Sequence, residues 1–175
     1  HPLPERVAIP TEYASVGSRS ATPSPDGTWV LLRSFASKDV AAFDVAGRQL
    51  KRLPMAGTPS DIALSRDGHV ALVVLRDTGK VTILPLPGGL TDPQQVAVLD
   101  VSLPIAGCVP PSAPDAGAGT DGGAVADPCT QAPGQAVLSP DGQLAALFTN
   151  AEPSVGLVTL NLGTRTAVPF TGLKK

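Results

Sequence analysis

The sequence writes one phrase three times: "PSPDGTWVLL" at residues 23–32, "LSRDGHVALVVL" at 64–75 and "LSPDGQLAALF" at 138–148. In Ser-Pro-Asp-Gly the proline presets φ for the second position of a type I turn, and aspartate suits the third. Glycine then accepts the positive φ that returns the chain to a strand, so each phrase predicts a hairpin turn. The second copy has Arg66 in place of proline, which a type I turn tolerates. Asp26 and Asp67 are 41 residues apart, and Asp67 and Asp141 are 74 apart. The longer gap becomes nearly one more copy of the shorter once a Pro/Gly-rich stretch around Cys108 and Cys129 is set aside as an insertion. A period of that size, built of short strands, means a repeat architecture.

The repeat extends beyond the turn. Val40, Val81 and Val155 each stand fourteen residues after the aspartate of their turn. Apolar residues follow two, three and five places further on: Ala42, Phe43 and Val45, then Ile83, Leu84 and Leu86, then Leu157, Val158 and Leu160. Upstream, Pro59 matches Pro133 and Leu64 matches Leu138, while the first copy departs with Ser18 and Pro23. The runs after the turns, Trp29–Leu32, Val70–Leu75 and Leu144–Phe148, are nearly continuous in apolar residues where a one-sided sheet would alternate. Strands of that kind are covered on both faces. A fourth segment closes each unit, at 49–55, 95–101 and 165–170. Each unit is therefore expected to be a four-stranded antiparallel sheet: one strand before the turn, one after it, one starting at the valine, and an outer one. Such sheets, repeated at this period and packed face to face, are the blades of a β-propeller.

The second unit, "GTPSDIALSRDGHVALVVLRDTGKVTILPL" at 57–86, resembles a blade of the YVTN-type propellers, related to the lactonase-like and TolB-like repeats. Their pattern is proline, an apolar strand, Ser-Pro-Asp-Gly and two further apolar strands. The resemblance covers all three units and implies a fold. For activity it is nearly silent, because that superfamily hosts hydrolases, cofactor-carrying oxidoreductases and pure binding proteins. The Trp-Asp signature of WD40 repeats is absent.

The expected class is all-β: three blades of about 41 residues forming a partial or multi-chain β-propeller. The division is 1–17 as an N-terminal segment and possible closing strand, 18–55 as blade 1, 56–103 as blade 2, 104–134 as the insertion, and 135–175 as blade 3. A spare strand is placed at 6–9 or 13–17. Propellers close with four to eight blades, so three fall short. The missing blades are expected from another chain or the rest of a longer polypeptide, since a three-blade arc would expose two apolar faces. The chain begins His1-Pro2-Leu3-Pro4, without an initiator Met or the pattern of a signal peptide, and reads as a processed or excised segment.

Composition fits this picture. With 19 Pro, 18 Gly and 3% aromatics, the chain suits many short strands and turns, and helices should be scarce. A net charge of −2 gives no basic stripe for nucleic acid, and the longest apolar runs are too short to span a bilayer. Neither nucleic acid nor a membrane is expected as a partner.

Within the insertion, Cys108 and Cys129 bracket a stretch rich in Pro, Ala, Gly, Ser, Thr and Asp, with no histidine nearby to complete a zinc site and no C-x-x-C redox spacing. A bridge is the preferred reading, with two free thiols as the alternative. A bridge closing such a loop stabilises the fold by roughly 3 kcal/mol in the chain-entropy picture. It also places the protein in an oxidising compartment: the periplasm, the cell surface or the medium.

Function in a propeller sits on the rim that carries the strand-two to strand-three loops and the connections between blades. These are 34–39, 76–80, 150–154 and 56–60, together with the insertion from about 104 to 134. The insertion carries Asp115, Asp121 and Asp127 and no Lys, Arg or His, which makes it a locally acidic flap. Even spacing by six lacks the alternating ligands of a calcium loop, so no metal is expected there. The candidate binding rim is Arg76, Lys80, Asp115, Asp121 and Asp127.

Catalytic constellations are thin. A Ser-His-Asp triad would have to rely on His69, which reads as a surface turn residue. "GAGTDGG" at 117–123 does not join a strand to a helix as a phosphate loop must. Asp44, Asp61 and Asp100 read as groups that satisfy backbone, and Trp29 as core. No catalytic residue and no cofactor is assigned; a C-x-x-C-H haem motif is absent. The favoured reading is a non-catalytic extracytoplasmic module for recognition or assembly. The alternative is part of a lactonase-like hydrolase, whose site would need polar residues from the missing blades. Inner strands 60–65 and 135–139 offer almost no such groups apart from Asp61.

Overall fold

A computed structural model of the chain describes residues 19–105, 108–109, 129–150 and 156–170. It contains three four-stranded antiparallel sheets, each connected in simple order. The first is β1 (Arg19–Pro23), β2 (Trp29–Ser34), β3 (Asp39–Asp44) and β4 (Gln49–Pro54). The second is β5 (Pro59–Leu64), β6 (Val70–Leu75), β7 (Lys80–Pro85) and β8 (Ala97–Asp100). A two-stranded ribbon of β9 (Leu103–Pro104) and β10 (Thr130–Gln131) closes the base of the insertion. The third sheet is β11 (Gln135–Leu138), β12 (Leu144–Phe148), β13 (Leu157–Asn161) and β14 (Thr166–Phe170). Only two short 3₁₀ turns, Gly88–Leu90 and Pro93–Gln95, interrupt this pattern among the described residues. None of their helices is long and apolar enough to cross a membrane. The segments expected at 6–9 and 13–17 lie outside the described residues.

The sheets stack face to face, and their apolar runs explain why. Leu31, Val40, Ala42 and Leu53 of the first sheet meet Ile62, Ala71, Val73 and Leu75 of the second in one buried layer. On the other face of the second sheet, Leu72, Val74, Val81 and Ile83 meet Ala136, Ala145, Leu147, Val158 and Leu160 of the third. The strand β6 therefore has no exposed face and reads as an unbroken apolar run. Each buried leucine contributes about 1.5–3 kcal/mol relative to exposure. Strand β5 packs against both β2 and β11, so the first strand of each unit lies innermost.

One register expectation is corrected. Trp29 pairs with Asp44 and Val70 with Pro85, but the matching Leu144 pairs with Asn161, two positions further from its turn. The extra residues lie between β12 and β13, so Leu157 takes the place of Val40 and Val81, and Val155 falls outside the described residues. Side chains alternate with period two along a strand, so a shift of two preserves which residues face the core. The sequence pattern therefore fits either register. Two of the fourth strands also start later than expected, whereas β4 begins at Gln49 as read. Arg165 has φ of +58° and leaves β14 to begin at Thr166, while Pro93–Gln95 forms a 3₁₀ turn before β8.

Candidate functional site

The three Asp-Gly turns form one end of the stack and are structural. In each, the serine hydroxyl donates to the aspartate carboxylate and accepts from the first backbone N–H of the following strand: Ser24 with Asp26 and Trp29, Ser65 with Asp67 and Val70, Ser139 with Asp141 and Leu144. The same carboxylates accept from the N–H of Thr28, His69 and Gln143. These donors hold Asp26 down to about 2 and lower Asp67 and Asp141, with the serine hydroxyl as the largest cause in each. Gly27, Gly68 and Gly142 take φ of 73°, 74° and 68°. His69 is an exposed turn residue, as expected.

The turns also stack on one another. A Cβ on Gly68 would lie 3.6 Å from the Ser24 Cβ, and one on Gly142 would lie 3.0 Å from the Ser65 Cβ. Each glycine thereby covers the serine of the turn before it, leaving Ser24 4% and Ser65 0% exposed. No later turn covers Ser139 among the described residues, and it stays half-buried. Gly27, at the opposite end, has open space where a Cβ would point.

The other end of the stack carries the candidate site. The ends of β2, β6 and β12 and the starts of β5 and β11 converge on a cleft of about 380 Å³. The first sheet contributes Arg33 and Phe35 to it, the second Ser60 and Arg76, and the third Gln135 and Asn150. An adjoining cleft of about 440 Å³ shares Phe35, Ser60 and Arg76 and extends to Thr58 and Asp77.

Backbone contacts fix its walls. The Ser60 hydroxyl meets the Val74 carbonyl at 3.2 Å and the Gly134 carbonyl at 3.1 Å, tying the second sheet to the third. Asp61 accepts from the Ala136 N–H at 3.0 Å, and both oxygens of Asp77 accept from the Thr58 N–H at 2.9 and 3.0 Å. The Arg33 guanidinium lies over the Phe35 ring, 4.8 Å from its centroid. Its Nε and Nη1 are buried without a hydrogen-bond partner. Burial pushes its pKa down, and the Asp61 carboxylate pushes it back up. An arginine remains a cation under such influences.

Of the residues singled out from the sequence, Arg76 lines this cleft. Lys80 does not: it pairs with Asp100 on the neighbouring strand β8. Cys108 and Cys129 form a disulfide with their Cα atoms 5.4 Å apart, beside the hydrogen bond from the Ile105 N–H to the Cys129 carbonyl at 2.8 Å. The base of the insertion adjoins the rim, since the Val101 N–H donates to the Gly79 carbonyl and Gly79 backs onto Ala132. Asp115, Asp121, Asp127 and the glycine-rich segment 117–123 lie outside the described residues. Asp44 and Asp61 satisfy backbone N–H groups as expected, whereas Asp100 serves Lys80. Trp29 packs against the core layer between the first two sheets.

Sequence reasoning missed Arg33, whereas Phe35 and Ser60 fall in the rim loops 34–39 and 56–60 without having been singled out there. A signal was present in Arg33, a charge that ends the apolar run Trp29–Leu32. A cation there must reach the end of the sheet or find a partner.

No family model matches the chain, and no curated protein matches it. Solved structures do. Hydrazine synthase of Kuenenia stuttgartiensis aligns with a TM-score of 0.59 and 15% identity over 85% of this chain and 34% of that one. The β-propeller domain of Cps50 (Swd1) from Myceliophteria thermophila aligns with a TM-score of 0.53 and 13% identity over 86% of this chain and 37% of that one. At such identity the likeness shows the fold alone. The chain is a set of β-propeller blades, and it spans about a third of the length of the structures it matches.

Proposed function

We propose that this chain is the three-blade part of a larger propeller of the YVTN/lactonase-like kind, acting as a non-catalytic extracytoplasmic module for recognition and assembly. Its blades are taken as 18–55, 56–103 and 135–175, with 104–134 as the rim insertion. The loop rim with Arg76, and the acidic insertion with Asp115, Asp121 and Asp127, would meet a protein or small ligand. The Cys108–Cys129 bridge supports an oxidising compartment.

The observation that carries the reading is the outward face of the third sheet. Val137 and Val168 are 57% and 59% exposed there, with Leu144 and Phe170 beside them. Leu144 stands where Trp29 and Val70 stand in the first two sheets, and both of those pack against the next sheet. The uncovered Ser139 is the matching gap in the row of turns. A further blade of the same kind would fill both.

Native mass spectrometry of the protein from its own source, without reductant, tests this. The expected result is a longer polypeptide or a complex, with Leu144 and Val168 protected from surface labelling. A lone 17.7 kDa chain with those residues freely labelled would overturn the proposal.

A further inference from the structure

We infer that the cleft between Arg33 and Arg76 binds a carboxylate group. This deepens the rim reading above and rests on it. The balance of donors and acceptors carries the inference. The two acids nearest the cleft are already engaged, Asp61 by the Ala136 N–H and Asp77 by the Thr58 N–H. The Ser60 hydroxyl is engaged by two carbonyls. The donors are not: Arg33 Nε and Nη1 have no acceptor. A buried donor left unpaired costs as much as a lost hydrogen bond or more, so the site is completed by a group that brings acceptors.

The charge of the cleft narrows the ligand. Among the described residues, Arg33 and Arg76 are the charged ones that line it. The Asp61 carboxylate also acts on Arg33, and its negative charge lowers the net positive charge a ligand meets, which suits an anion of single charge better than a dianion. Arginine presents planar donors that match a planar carboxylate. Phe35 holds one face of the Arg33 guanidinium, 4.8 Å from the ring centroid, and fixes the group at the wall of the cleft. The Gln135 and Asn150 amides offer further donors on the far wall. Arg76 stands on an exposed loop, where it can close over an occupant.

The test titrates the intact chain with acetate, a short glutamate-rich peptide and inorganic phosphate, followed by NMR of the backbone amides. Saturable binding of a carboxylate is expected, with shifts at Phe35 and Gln135. Arg33→Gln or Arg76→Gln should weaken it roughly tenfold or more, the cost of a charged hydrogen bond. Arg33→Lys keeps the charge but loses the planar donors, and should weaken it too. Circular dichroism checks that each variant folds, and exposed Arg76 gives a variant that does not disturb the core. Binding of acetate alone would indicate a small-molecule source, and tighter binding of the peptide an acidic protein segment; either supports the inference. No saturable carboxylate binding, binding indifferent to both Gln variants, or preference for phosphate would overturn it. If carboxylates fail while a confirmed partner is still lost on altering loop 76–79, only the ligand class falls. If that partner is also indifferent to the loop, the rim reading falls with it.

Discussion

In each Asp-Gly turn one carboxylate gathers a serine hydroxyl and a backbone N–H, and the serine in turn accepts from the strand that follows. These contacts favour the ionised aspartate, so its folded-state pKa lies below the value of about 3.9 in an unfolded chain. The stabilisation is therefore complete above that unfolded value and is lost as pH falls through the folded one, near 2 for Asp26. Melting temperature should accordingly fall between about pH 4 and pH 2, and Asp26→Asn should flatten that part of the profile. A melting curve equally steep in the variant would remove Asp26 from the explanation. The glycines offer a second comparison. Gly142→Ala places a Cβ 3.0 Å from Ser65 at a φ of 68°, whereas Gly27→Ala meets only the backbone cost at 73°. The backbone cost is about 1–2 kcal/mol in both, so denaturant unfolding should show the larger loss for Gly142→Ala.

Among the elements, the middle sheet is the most demanding because neighbours cover both its faces. Leu72→Ala in β6 should cost about 2–5 kcal/mol, while Leu144→Ala on the open face should cost under about 0.5 kcal/mol in the isolated chain; urea unfolding of the two variants measures the contrast. Reducing Cys108–Cys129 should lower stability by up to roughly 3 kcal/mol, read as a drop in melting temperature with reductant that a double Cys→Ala variant no longer shows. The legible part of this architecture was its local chemistry. Asp26, Asp67 and Asp141 with their glycines marked three hairpins, and the unbroken run Val70–Leu75 marked a strand covered twice. The register of β13 was not legible, because a shift of two leaves the inward face apolar in either alignment. Arg33 was hidden for a different reason. Its role arises only where strand ends from separate sheets meet, and spacing along one strand carries no record of that meeting. Arg76 was found because it sits in a loop whose position in the blade is fixed by the repeat.

At the scale of the whole molecule, three sheets leave the third with an apolar outer face. Val168→Glu on that face should leave the blades folded by circular dichroism yet abolish any assembly seen by native mass. An assembly unchanged by the substitution would show that the face lies outside the interface. The row of turns adds a rule about direction. Each glycine caps the serine behind it, so the row has a head at bare Gly27 and a tail at uncovered Ser139. Two tails brought together would oppose serine to serine and cap neither. Any association through these ends of the row would be vectorial, one head meeting one tail, and vectorial growth has two outcomes: it curves until it closes, or it runs on as a fibre. Such polarity gives an open set of blades a route to polymers that an interface on a two-fold axis would not offer, and the angle between successive sheets decides which outcome is reached.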